Sequence, residues 1–186
     1  MSGADGSHGA ADSSASPPTT ERPAQFTHVN ERGQANMVDI TVKQPTQRRA
    51  LARCRVALAR EALRALTDER DGNVILSEAR VVGINAAKRT SSLIPLCHPI
   101  LVQDVFVNFD VDDGGVEIEA VAEAFERTGL EMEALSACAM AALSIVGALR
   151  TFEPKASIES LTLWEKTGGR SGHWQRPPDE TTVEGT

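Results

Sequence analysis

The alternation of apolar and polar side chains predicts β-strands along much of the chain. It is most regular over residues 100–125, where Asp-Gly-Gly at 113–115 joins two alternating stretches and predicts a hairpin turn. Residues 37–43 alternate in the same way and predict a strand that ends before Pro45. The apolar residues of 158–166 predict a last strand, which leads into a glycine-rich loop.

The stretch 48–58 also has a period of two. Small apolar residues occupy one face, and Arg49, Arg53 and Arg55 occupy the other. Because Ala and Leu also suit a helix, the composition of this stretch allows either structure. The alternation favours a strand.

Apolar residues at helical spacing predict three helices. The first covers residues 60–72 and ends at Gly72, and the second covers 74–88. The third begins at Thr128, because Thr128 and Glu131 have the spacing of a capping box and an apolar stripe of small residues follows. Strands and helices in this order predict an α+β fold with helices packed on one face of an antiparallel sheet.

The two ends of the chain differ in composition from the middle. Residues 1–25 and 176–186 are rich in Ser, Gly, Ala, Pro, Thr and acidic residues, so we expect disordered tails. Residues 26–175 have the length and apolar content of a single domain. Each tail carries three acidic residues and one arginine, which leaves −3 of the net charge of −7 to the domain.

The domain is close to neutral and has no stripe of basic residues, so we do not expect it to bind nucleic acid. No uncharged apolar run approaches the roughly 18 residues that cross a bilayer, and the N-terminus lacks the basic and apolar regions of a signal peptide. We therefore expect a cytoplasmic protein without a membrane partner. Cys54, Cys97 and Cys138 are odd in number and widely spaced, which predicts neither a disulfide framework nor a CxxC metal site.

Cys97 and His98 lie between two prolines in the motif IPLCHPI at 94–100. Imidazole titrates near neutral pH and can pass protons, so this motif is a candidate for chemistry. The alternative is a proline-locked turn in which the histidine only hydrogen-bonds to backbone, and the motif alone favours this turn. A single Cys-His pair predicts no metal site, and Cys97 is expected to pack as a small apolar side chain.

Four blocks of sequence together resemble the cyclic pyranopterin monophosphate synthase family. They are MVDIT (37–41), GINAAKRTSSLIPLCHPI (83–100), RTGLEMEALSACAMAALSI (127–145) and EKTGGRSG (165–172). Several long blocks in the right order are more specific than one short motif. The resemblance implies a ferredoxin-like fold and a hexamer built as a trimer of dimers, with active sites between subunits. It also implies a lyase reaction in which a cyclised GTP derivative rearranges to cyclic pyranopterin monophosphate, with loss of pyrophosphate and with no cofactor.

The resemblance also implies roles for individual residues. His98, Glu133 and Glu131 match catalytic positions, although Glu131 is also the acid of the predicted capping box. The positions expected to bind substrate phosphates are Lys88, Arg89, Arg150, Lys166 and Arg170. Lys88 and Arg89 have an equally good alternative as a helix end whose cations complement the helix dipole, and the glycine-rich loop around Arg170 has one as a flexible turn.

Three positions depart from the family pattern. The family has Lys-Gly-Asp where this chain reads Asp71, Gly72 and Asn73, and it has an Asp and a Lys, three residues apart, where this chain has Gly147 and Arg150. A guanidinium stays protonated and cannot shuttle a proton. Substitution by Arg70, or a shift of one residue in the match, can restore the first cation but not the acid.

Three hypotheses follow from this mixture of matches and departures. We favour a diverged enzyme that acts on a related nucleotide-derived small molecule, with altered substrate or chemistry. The second hypothesis is an ordinary cyclic pyranopterin monophosphate synthase. The third is a non-catalytic subunit that binds a nucleotide or pterin, or that regulates a true synthase. In each case we expect a homo-oligomer, because the implied sites lie between subunits.

Overall fold

The computed structural model describes residues 28–30 and 32–177. Its strands are β1 (Thr46–Ala57), β2 (Asp104–Asp112), β3 (Gly115–Glu126), β4 (Ser157–Thr167) and β5 (Trp174–Gln175). Its helices are α1 (Arg60–Thr67), α2 (Asp71–Lys88), the short α3 (Thr90–Leu93) and α4 (Glu131–Leu149).

The strands form one antiparallel sheet in the order β2-β3-β1-β4-β5. The two long helices follow β1 and β3, so the chain up to β4 alternates in the β-α-β-β-α-β order of a ferredoxin-like fold. The predicted α+β class is therefore confirmed. The hairpin of β2 and β3, and the strands over 48–58 and 158–166, are also confirmed.

Small residues on one face of the sheet allow α4 to lie close to it. Ala50, Ala52 and Cys54 of β1 are at most 1% exposed, and the Cys54 sulfur lies 3.2 Å from the sulfur of Cys138 on α4. α2 packs on α4 with a similarly close approach, since a Cβ atom at Gly83 would come within 2.9 Å of a backbone oxygen of α4. The core therefore lies between the sheet and these two helices.

The opposite face of β1 carries Arg49, Arg53 and Arg55, and each of these is paired with a carboxylate. The register places Arg49 opposite Glu123 and Arg53 opposite Glu119, with nitrogen to oxygen distances of 3.2 Å and 2.7 Å. Arg55 pairs with Asp112 at the hairpin end. Cross-strand pairs of opposite charge stabilise the sheet on this polar face.

The strand predicted over residues 37–43 is wrong. The Asp39 carboxylate accepts the Thr41 N–H at 2.8 Å, and the Lys43 N–H donates to the Ile40 carbonyl at 3.1 Å. An Asp side chain that binds the backbone two residues on competes with strand pairing. The segment is therefore a loop that turns at 41–43, and Val42 in this turn is 86% exposed.

Two predicted helix boundaries also need correction. α1 ends at Thr67, and Gly72 belongs to the first turn of α2, where any Cβ atom would collide with the Leu66 carbonyl. α4 has Leu130, not Thr128, at its N-cap, and no side chain among residues 28–30 and 32–177 supplies a capping hydrogen bond there. The predicted capping box is therefore absent, because Thr128 is not the N-cap and Glu131 is the first helical residue, where it pairs with Lys166.

The tail predicted at 1–25 lies outside the described residues, as does 178–186 of the C-terminal tail. Arg176, the first residue of that predicted tail, donates its N–H to the Trp164 carbonyl at 2.8 Å. By length and apolar composition, α4 matches a membrane span. Half of its apolar window is buried within the protein, where it forms the core against the sheet.

Candidate active site

A cavity of about 270 Å³ opens at the N-terminal end of α4. It brings together three residues of the predicted site, His98, Glu131 and Glu133, and Cys97 lies beside them. These residues come from the loop after α3 and from the first turn of α4. Two segments that are distant in sequence therefore form one concave surface.

The loop that carries Cys97 and His98 is a tight turn with an unusual backbone. The Cys97 N–H donates to the Ile94 carbonyl at 3.4 Å, and Pro95 precedes Leu96, which has a φ of 66°. This is the pattern of a type II turn, which usually has glycine where Leu96 stands. A left-handed leucine costs about 1–2 kcal/mol, and such strain is concentrated at functional sites. The turn predicted from the prolines is thus present, and it places the histidine in the cavity wall.

Glu133 is the buried acid of this cavity, with 3% of the residue exposed. Loss of solvation on burial raises the pKa of its carboxyl to about 7, and the negative charge of Glu131 acts in the same direction. A carboxyl with a pKa near 7 can both donate and accept a proton at neutral pH. This is the property required of a general acid or base.

Glu131 forms an ion pair with Lys166 of β4, with 3.0 Å between the Oε1 and Nζ atoms. Both side chains are about one third exposed. The pair joins the start of α4 to the end of β4. Lys166 reaches the edge of the site, but its charge is already balanced there by a carboxylate.

The Cys97 thiol remains protonated at neutral pH. Burial, and then the charge of Glu133, raise the pKa of this thiol. Because the thiolate is the reactive form, this environment opposes a nucleophilic role for Cys97. The pKa of Asp39 is lowered, first by hydrogen bonds from Thr41 and to a lesser degree by the charge of His98.

The remaining predicted cations do not line this cavity. Lys88 and Arg89 are exposed at the C-terminal end of α2, where the Arg89 N–H donates to the Ala86 carbonyl at 3.0 Å. Arg170 lines a different cavity beside the glycine-rich loop. Of the predicted phosphate-binding residues, Lys166 forms an ion pair with a residue that lines the cavity, Glu131.

The three positions predicted to depart from the family pattern lie at the far end of the helix layer. Gly83 of α2 packs between Ala137 and Ala141, and the chain after α2 returns to Cys97 beside the start of α4. The two helices are therefore antiparallel, which places Asp71 at the C-terminal end of α4 with Gly147 and Arg150.

The length of α4 separates these positions from the cavity. Glu133 and Gly147 are fourteen residues apart on one helix, or about 21 Å at 1.5 Å per residue. Within one chain, Gly147 and Arg150 cannot touch a reacting group beside Glu133. The sequence shows the spacing of Glu133 and Gly147 along one predicted helix, but it does not show that Asp71 lies near Gly147, because that depends on the direction in which α2 packs on α4.

His28 and Met132 also line the cavity and were not predicted as site residues. His28 lies in the segment before the first matched block, in a region joined by a bridge between Val29 and Ala35. A lone histidine there gives no local signal. Met132 lies between the two matched acids, where the helical spacing alone suggests an ordinary surface residue.

Comparisons with known proteins agree with the resemblance. The MoaC family model matches residues 37–169. A cyclic pyranopterin monophosphate synthase from Thermomicrobium roseum is 48% identical over 160 residues, which cover 84% of this chain and 96% of that protein. A protein of the same name from Heliobacterium modesticaldum is 44% identical over 81% of this chain and 97% of its own length. Another, from Streptomyces avermitilis, is 42% identical over 86% of this chain and 93% of its own length.

Proposed function

The chain belongs to the MoaC family, and from this membership we propose that it is a lyase of the cyclic pyranopterin monophosphate synthase type, acting on a cyclised GTP-derived nucleotide. The observation that carries the proposal is the cavity at the start of α4. It holds an imidazole, His98, and a buried carboxyl, Glu133, whose pKa is about 7.

The proposed rearrangement breaks a C–N bond and closes a new ring, so protons must leave and join the substrate at neutral pH. Glu133 and His98 face the same cavity and are the two groups suited to these transfers. Glu131 fixes Lys166 at the rim, and its negative charge helps to keep Glu133 protonated. Cys97 serves as part of the wall.

A homo-oligomer completes the proposed site. One chain cannot bring Gly147 and Arg150 to its own cavity, since about 21 Å of helix separates Gly147 from Glu133. A neighbouring subunit can present this end of its own helix layer, including Asp71, to the cavity. Light scattering that shows a monomer at micromolar concentration would remove this part of the proposal.

The altered far end makes the protein, in our proposal, a diverged member of the family with changed substrate or chemistry. Asp71 introduces a negative charge that repels a polyphosphate, Gly147 provides no carboxylate, and Arg150 cannot release a proton. The scaffold can accept the family residues, because a Cβ atom at Gly147 meets no heavy atom within 4 Å. Asp71 and Arg150 are both exposed.

The test is turnover of the family substrate by the natural protein and by the triple variant Asp71→Lys, Gly147→Asp, Arg150→Lys. We expect the natural protein to be at least about 100-fold slower than an ordinary synthase, since one positioned proton-transfer group contributes about 10²–10⁴ in rate. The triple variant should recover activity. An ordinary rate from the natural protein would establish the ordinary synthase instead.

The third hypothesis, a regulatory or structural subunit, has its own readout. Co-expression with an ordinary synthase should then give mixed oligomers, and the protein alone should turn over no cyclic nucleotide. If the protein alone shows turnover, it is not a purely regulatory subunit. The intact His98 and Glu133 cavity favours the enzyme.

A further inference from the structure

A third segment of the chain contributes a side chain to the cavity at the start of α4. His28, which has no role in the proposed function as stated so far, lines this cavity together with His98 and Glu133. His28 is exposed and Glu133 is buried, so the cavity runs from a buried carboxyl to an imidazole at its open side. One hydrogen-bonding group of the cavity wall is therefore still without a function.

His28 belongs to a short hairpin formed by residues 28–30 and 32–36, the N-terminal hairpin. The His28 carbonyl accepts the Asn36 N–H at 2.8 Å. The turn closes at Gly33, whose N–H donates to the Asn30 carbonyl at 2.9 Å. Gly33 has a φ of 74°, which glycine adopts without a steric penalty. The backbone that carries His28 is thus fixed by hydrogen bonds inside the hairpin.

The Asn30 side chain organises the turn of this hairpin. Its Oδ1 atom accepts the N–H groups of Arg32 and Gln34, each at 3.0 Å. Its backbone N–H donates to the Gln34 carbonyl at 2.9 Å. An Asn side chain that accepts backbone N–H groups a few residues further on favours a turn over other conformations. The position of His28 therefore depends on Asn30.

Burial of side chains does not explain the order of the N-terminal hairpin. Each of its described residues is exposed, and its hydrogen bonds within the described chain join residues 28–37 only. Ordering a backbone costs conformational entropy, which most segments recover by burying apolar surface. The hairpin adds little to the core, but it does supply His28 to the cavity wall. This contrast points to a function in the cavity.

The His28 ring is able to serve a ligand there. It has no hydrogen bond or ion pair with any residue in the described part of the chain. A neutral imidazole offers one N–H donor and one acceptor nitrogen, and a nucleotide base or sugar carries both acceptors and donors. The neighbouring Glu131, by contrast, is already paired with Lys166.

We propose that His28 is a further substrate-contacting residue, and that the N-terminal hairpin holds its ring against the nucleotide at the open side of the cavity. Asn30 is then a positioning residue, because it fixes the turn that holds His28. The inference rests on the proposed function, since it takes this cavity as the substrate site. Its test follows His28 and His98 separately, so that loss of one contact is distinguished from loss of the whole site.

The experiment is NMR of the full chain, isotope-labelled at the Cε1 atoms of histidine and titrated with GTP. The chain has four histidines, and each signal is assigned by its loss in a single His→Gln variant. We expect the signals of His28 and His98 to shift with the same dissociation constant. The signal of His173, which pairs with Glu165 outside the cavity, should not move. A shift at His98 without one at His28 would overturn the inference and leave the proposed site intact. No shift at either would remove both.

Calorimetry measures how much the contact contributes. His28→Ala should weaken GTP binding by at least about threefold, as expected for the loss of one hydrogen bond to a ligand. His173→Ala, the same change at a histidine outside the cavity, is the control and should leave the affinity unchanged. Equal affinities of the natural protein and His28→Ala would show that the ring only lies near the ligand.

Variants of Asn30 test the positioning role. Asn30→Ala removes the acceptor of two N–H groups, so it should reduce the shift that GTP causes at His28 and preserve the shift at His98. Asn30→Asp should restore the shift at His28, because a carboxylate oxygen accepts the same N–H groups. The unfolding temperature should not distinguish the two variants, since the hairpin is exposed. Equal losses at His28 and His98 in Asn30→Ala would contradict a role specific to His28.

Discussion

The two ends of α4 differ in their surroundings and in the roles that we propose for them. At the N-terminal end Glu133 is buried and Glu131 is paired with Lys166. At the C-terminal end Gly147 and Arg150 are exposed. In our proposal the proton-transfer groups lie at the end that one chain builds alone, while the proposed departures from the family pattern lie where a second subunit is needed.

The largest effect should come from breaking the N-terminal end. Glu133→Gln keeps the size of the side chain but cannot exchange a proton, so turnover should fall by about 10²–10⁴ in whichever form of the protein, natural or triple variant, is active. Steady-state kinetics measure this loss. Glu78→Gln, the same change on the exposed surface of α2, is the control and should leave the rate within about twofold. A loss below about threefold for Glu133→Gln would exclude it as the proton-transfer group.

The same residue should make stability depend on pH. The pKa of Glu133 is about 7 in the folded chain and 4.5 as its ordinary value. Between these values the unfolded chain releases the proton while the folded chain keeps it, so stability falls as pH rises. Below pH 4.5 both states are protonated and the effect vanishes.

Urea denaturation at pH 5 and pH 8 measures this contribution. Glu133→Gln has no carboxyl to titrate, so its free energy of unfolding lacks this fall with pH. The free energy of unfolding of the variant minus that of the natural protein should therefore be about 2–3 kcal/mol larger at pH 8 than at pH 5. Because the group is 3% exposed, little solvent screening applies. A difference that does not change with pH would mean that the carboxyl is ionised and solvated in the folded state.

Smaller effects on the free energy of unfolding are expected from alanine at two glycines of the helix layer, one in a crowded position and one in an open position. Gly83→Ala should lower the free energy of unfolding by about 1–3 kcal/mol, because its Cβ atom would lie 2.9 Å from the Ala137 carbonyl oxygen. Gly147→Ala should raise it by about 0.5–1 kcal/mol, since its Cβ atom meets open space and alanine favours a helix. Thermal unfolding of both variants gives the signs. Destabilisation by Gly147→Ala would contradict the open surroundings of this position within one chain and would mean that a neighbouring subunit leaves no room there for a Cβ atom.

Local patterns predicted most of this fold. The hairpin over 100–125 and the strand over 48–58 followed from alternation, because one face of each is buried. The strand over 37–43 failed, since the Asp39 side chain takes a backbone N–H that a strand would use. β5 went unpredicted, because two residues that pair with β4 carry too short a pattern.

The site was less predictable from local patterns. The proline motif alone favoured a turn, and the structure has this turn in the wall of a cavity. Nothing local to the motif predicted the cavity, and the hypothesis that His98 transfers protons came from the resemblance. The local spacing of Thr128 and Glu131 suggested a capping box. The actual partner of Glu131 is Lys166, which is 35 residues away in sequence and therefore invisible to a local pattern. The cavity also takes His28 from a third segment, which no sequence period can reveal.

The most direct test of the central claim is the titration of Glu133 itself. The claim is that the N-terminal end of α4 holds a carboxyl able to exchange protons at neutral pH. Carbon-detected NMR of the labelled side-chain carboxyl, assigned by its loss in Glu133→Gln, measures the pKa of this group. Our account predicts a value of about 7. A value near 4.5, the ordinary value for a solvated glutamate, would contradict it.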